Sequence, residues 1–78
     1  MGIKFNNTYE DLVKWINLYG QQGVFMSGVG IDDIIFKEDI ERLKNDVNNI
    51  NFNEDNNSVL FTMQDTEEHT YQYMLSLI

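Results

Sequence analysis

The chain has 78 residues and a formal charge of −8, from thirteen Asp and Glu against five Lys and Arg, with no cysteine and no proline. This length holds one domain, and 42% hydrophobic residues with five Phe, four Tyr and one Trp set it apart from disordered acidic chains. The charge argues against phosphate backbones and anionic lipid as direct ligands, and the absent cysteine leaves neither a disulfide framework nor a thiolate zinc site.

In chain order, Ile3 to Phe5 fit a short strand or an anchored tail. Thr8 then offers an N-cap, with Asp11 three residues on in a weak version of the capping box. Tyr9, Leu12, Val13, Ile16 and Tyr19 share one helical face, and Gly20 stands where a helix stop belongs. Trp15 flanks this stripe, either as a half-buried core edge or as an anchor for a partner, since Trp is enriched at interface hot spots. Leu18 lies nearly opposite the stripe.

Gly20, Gly23, Gly28 and Gly30 surround the apolar run Val24-Phe25-Met26. Two readings compete: a loop presenting Phe25 and Met26 to a partner, or a buried strand or turn. Gly28-Val29-Gly30 is not a dinucleotide fingerprint, because Asp33 occupies the third glycine position. Ile31 to Ile35 fit either a short strand or an early start to the next helix. That second helix is expected from about Lys37 to Asn49, because Phe36, Ile40, Leu43, Val47 and Ile50 recur at helical spacing. Glu38, Arg42 and Asp46 would then form a ladder on its outer side.

The last third changes period. Val59, Phe61 and Met63 alternate against Leu60, Thr62 and Gln64, a strand pattern preceded by the polar cluster Asn53 to Asn57. Residues 66–78 fit both a strand and a helix, with Thr70, Tyr71 and Tyr73 favouring the strand. The expected fold is therefore α+β, with two helices packed on a three-stranded antiparallel meander in the order α-α-β-β-β.

No catalytic or cofactor motif is present. His69 is the one histidine and adjoins an expected turn, so a hydrolytic triad or a histidine-based zinc site lacks its partners. Asn53 to Gln64 resembles a calcium loop through Asn53, Asp55 and Asn57, but Ser58 replaces the turn glycine and Gln64 the bidentate Glu. The carboxylates group as Asp32-Asp33, Glu38-Asp39-Glu41, Glu54-Asp55 and Asp65-Glu67-Glu68. Singly these suit a solvated surface, whereas so many like charges on a small body invite a use in binding.

The expectation is a non-enzymatic inhibitory or regulatory protein. In it Asp32, Asp33, Glu38, Asp39, Glu54 and Asp55 would face a basic, nucleic-acid-binding groove on a larger protein, with Trp15, Phe25 and Met26 as apolar anchors. Small acidic phage-encoded inhibitors of host defence enzymes, including CRISPR nucleases, provide an analogy of size and charge only. The alternative is an accessory protein that forms a homodimer through the edge of its terminal sheet. Absent alanine and abundant Asn and Ile suggest an AT-rich gene of a low-GC bacterium or its phage. With no apolar leader in Met1 to Asn7 and no long apolar run, the bacterial cytoplasm is the expected compartment.

Overall fold

The computed structural model describes residues 3–78, in which one α-helix and one 3-10 helix lie beside a five-stranded antiparallel sheet. The elements are α1 (Tyr9–Tyr19), β1 (Gly23–Gly28), β2 (Ile31–Phe36), the 3-10 helix Lys37–Leu43, β3 (Asn48–Phe52), β4 (Ser58–Gln64) and β5 (Thr70–Ser76). The strand order is β2-β1-β5-β4-β3. The chain's last strand is therefore central, flanked by β1 and β4.

This corrects the expected three-stranded meander. The two additional strands come from Gly23 to Phe36, where strand competed with loop in the glycine-rich run and with an early helix start from Ile31 to Ile35. The segment closes as a hairpin: Gly28 pairs with Ile31 across Val29-Gly30, and Gly30 has φ of 77°, which suits the third residue of a type II turn. The expected helix from Lys37 to Asn49 is also corrected. Only Lys37–Leu43 is helical, with 3-10 geometry, and Asn48–Phe52 belongs to edge strand β3. Tight i to i+3 bonding continues at Lys44, whose N–H donates to the Glu41 carbonyl at 3.1 Å. The ladder shifts accordingly, as Arg42 meets Asp39 three residues back at 3.6 Å.

Helix α1 follows from its local sequence. The Thr8 hydroxyl accepts the Asp11 N–H at 3.2 Å, and the Gly20 N–H closes the helix on the Ile16 carbonyl at 2.8 Å. The Asp11 carboxylate accepts from the Asn6 N–H, so this cap reaches two residues beyond the usual box. Leu12, Trp15 and Ile16 form the buried stripe, while Tyr19, the last residue of the helix, is exposed. These side chains pack on Val24, Met26, Val59, Phe61 and Leu75 from the sheet, and Phe5 and Ile40 close the two flanks. Strand alternation thereby assigns one sheet face to the core and leaves the other without a covering layer.

Candidate protein-binding surfaces

The two edges of the sheet are both protected. On β2, the backbone bond from Lys37 to Gln22 fixes the pairing phase, so Asp32, Ile34 and Phe36 direct their N–H groups outward. The Asp33 carboxylate accepts the outward N–H of Ile34 at 2.8 Å, and Asp32 adds a second charge on the opposite side of the strand. Inward caps and charges of this kind discourage addition of another strand. On β3, the outward N–H of Phe52 is taken by the Asn7 side chain at 3.1 Å, while Phe5 stacks on the Phe52 ring at 5.1 Å. Since β5 lies inside the sheet, the edges open to another chain are β2 and β3.

A surface groove of about 660 Å³ lies between α1 and the 3-10 helix. Tyr9, Val13 and Ile40 form its apolar part, while Glu10, Glu38 and Glu41 share its rim with Lys37 and Lys44. The Tyr9 hydroxyl donates to the Ile40 carbonyl at 3.2 Å and ties the walls together. Partial desolvation, and then the Glu41 charge, raise the Tyr9 pKa, so the phenol remains a donor. Sequence reasoning singled out Glu38 here but not Glu10, because only the packing of α1 on the 3-10 helix brings them together.

The other expected site residues are dispersed. Asp32 and Asp33 alternate across β2, Asp39 is half-buried beside Arg42, and Glu54 and Asp55 occupy the β3–β4 turn at one end of the sheet. These carboxylates do not form one row. Trp15 is completely buried, its indole N–H donating to the Asn56 carbonyl at 2.7 Å, and Met26 is 2% exposed, so neither is available as an anchor. Phe25 is half-buried on the uncovered side of the sheet.

No family model, curated protein or solved structure matches the chain.

The β4–β5 turn contains an arrangement that charge grouping did not anticipate. Asp65 accepts from the N–H groups of Glu67 and His69 at 2.8 and 2.9 Å, and it meets the His69 ring at 3.1 Å and the Tyr71 hydroxyl at 3.3 Å. The backbone N–H of His69 is the main cause of a lowered Asp65 pKa, and the carboxylate in turn raises that of Tyr71. The Asp-Thr-Glu start of the turn was a usable signal, because Asp commonly caps its own backbone two residues on. Asp65, Glu67 and His69 are exposed and their bonds hold the turn, while Asp65 and Tyr71 also line an open surface pocket of about 270 Å³. Asn53 and Asp55, compared above with calcium ligands, likewise hold a turn: Asn53 bonds the Ser58 hydroxyl at 3.2 Å and Asp55 accepts the Asn57 N–H at 3.0 Å.

Proposed function

We propose that this protein is a small non-catalytic inhibitory or regulatory binding protein whose carboxylates engage a basic surface on a larger protein. One observation carries the reading: the negative charge is largely unneutralised within the fold, although Asp11, Asp33, Asp55 and Asp65 accept backbone N–H groups. No charged side chain is buried among the described residues, and their only Lys or Arg pair with a carboxylate is Arg42 with Asp39. Charges arranged in this way gain little from the protein's own structure, and they steer association with a cationic partner.

The dispersion of the acids favours a diffuse contact over an ordered imitation of a phosphate row. Our reading centres it on the groove rim, where Glu10, Glu38 and Glu41 outnumber Lys37 and Lys44 around apolar residues. The partner class is a nucleic-acid enzyme with a basic groove, such as a host nuclease or polymerase. Binding to a purified panel of such enzymes tests the idea. The expected complex weakens at least tenfold in affinity between about 50 and 500 mM salt, and Glu10→Gln/Glu38→Gln/Glu41→Gln weakens it further at low salt. Salt-insensitive affinity, or no complex across the panel, would overturn the proposal.

A further inference from the structure

The uncovered sheet face differs in kind from the rest of the surface. Register places Phe25 directly beside Ile34, and Leu60 directly beside Met74, with Phe36 extending the row on β2. Ile34 and Phe36 are 40% and 45% exposed, and Leu60 and Met74 are each 37% exposed. These apolar side chains make a band across four strands, surrounded at the remaining outward positions by Ser, Thr, Gln and Asn. The strands contribute a single charge to this face, Asp32, at its β2 margin.

We infer that this face binds a second copy of the chain, giving a two-fold dimer in which the two sheets stack. Charge selects the occupant. Elsewhere two copies would oppose carboxylates, at the Glu54-Asp55 turn, at the Asp65 to Glu68 turn or along the 3-10 helix. A basic partner is drawn to those same regions and finds almost nothing to pair with on the neutral face. The surface that complements a neutral apolar band is another such band, and a two-fold axis supplies it while leaving Asp32 in water at the periphery.

Size and geometry agree. Five strands spaced about 4.8 Å apart, each about six residues long, give a footprint of roughly 24 by 20 Å. A stacked pair therefore removes on the order of 1,000 Å² from water, the lower limit for a specific interface and the size of a weak, reversible one. Antiparallel sheets stack face to face about 10 Å apart, with their strand directions within about 30° of each other. Edge pairing is not an equivalent route, since Asp33 caps the outward N–H of Ile34 on β2 and Asn7 that of Phe52 on β3.

Sedimentation of the whole chain tests the inference, with amide chemical shifts followed on dilution to locate the contact. The expected result is reversible monomer–dimer exchange between about 10 μM and 1 mM, the range suited to so small an interface. Salt should act in the sense opposite to the basic-partner contact: raising it from about 50 to 500 mM screens the repulsion between copies and tightens the dimer several-fold. Dilution shifts should fall on Phe25, Ile34, Leu60 and Met74. Leu60→Gln/Met74→Gln, made at exposed positions and confirmed folded by its amide spectrum, should raise the dissociation constant at least tenfold. A monomer at 1 mM in 500 mM salt, shifts confined to the groove or to the edges, or an unaffected double variant would each overturn the inference. None of these outcomes bears on binding to a basic enzyme.

Discussion

Trp15 shows how one side chain can settle the placement of two distant segments. Its ring fills the space between α1 and the sheet, and its N–H reaches the Asn56 carbonyl 41 residues later, in the β3–β4 turn. Asn56 has φ of 59° and donates its side-chain amide to the Ile3 carbonyl at 2.8 Å, so the turn also holds the N-terminal segment. Trp15→Phe removes the donor and part of the ring, and should cost about 2 kcal/mol in urea unfolding, with unchanged strand content. A loss under 0.5 kcal/mol would mean that the indole bond adds nothing. Asp65 offers a pH-dependent test of the opposite turn. Its folded pKa lies below the ordinary 3.8, so its contribution is present above that value and disappears as pH falls through the folded pKa. Asp65→Asn should therefore lower the melting temperature at pH 7, with the gap closing as pH falls through the folded pKa. A pH-independent gap would assign the effect to the turn bonds alone.

At the level of elements, the β1–β2 hairpin depends on its glycines and aspartates. Gly28 lies against the Tyr73 ring, which itself stacks on Phe61 at 5.7 Å, and a methyl group at Gly28 would collide with that ring. Gly28→Ala should destabilise the fold by about 1 to 3 kcal/mol, measured by chemical denaturation, whereas Gly30, at φ of 77°, has open space around it and would suffer only backbone strain. Strand β2 shows the cost of an apolar edge. Its sequence Ile-Asp-Asp-Ile-Ile-Phe has no lysine or proline to deter pairing, leaving that task to its two aspartates. Asp32→Val/Asp33→Val should convert the protein to higher-order, thioflavin-binding aggregates at concentrations where the parent remains clear. Were this variant to stay as soluble as the parent, the aspartates would have no guarding role.

For the whole molecule, charge and hydrophobicity are segregated. A single core lies between α1 and one face of the sheet, an apolar band occupies the other face, and the carboxylates populate the helices, the turns and, as Asp32 and Asp33, edge strand β2. With a charge of −8 in a body of 41 by 22 by 18 Å, mutual repulsion opposes folding. Sodium chloride at about 0.5 M should raise the melting temperature of dilute protein by about 4 to 8 °C relative to 20 mM, the shift that roughly 1 kcal/mol gives in a domain this small. An unchanged melting temperature would show that the carboxylates are compensated within the fold. No helix of the described residues is long and apolar enough to cross a membrane.

Local features were readable in order because their partners are near in sequence. The Thr8 cap, the Gly20 stop and the alternation from Val59 to Met63 concern groups a few residues apart, and backbone geometry alone gives them their period. The segment from Phe36 to Ile50 misled because five apolar residues at helical spacing can equally be gathered by a 3-10 turn, a bend and a strand once β4 needs a neighbour. Expected anchors Trp15 and Met26 went inward for a related reason: a side chain suited to a partner is equally suited to the core, and only the docking of α1 decides between them. Composition by itself determined that this chain is acidic and carries no cysteine chemistry. Tertiary structure alone decided that β5 is central, that the acids are dispersed and that one sheet face stays open, because strand order and face coverage depend on contacts between residues far apart in the chain.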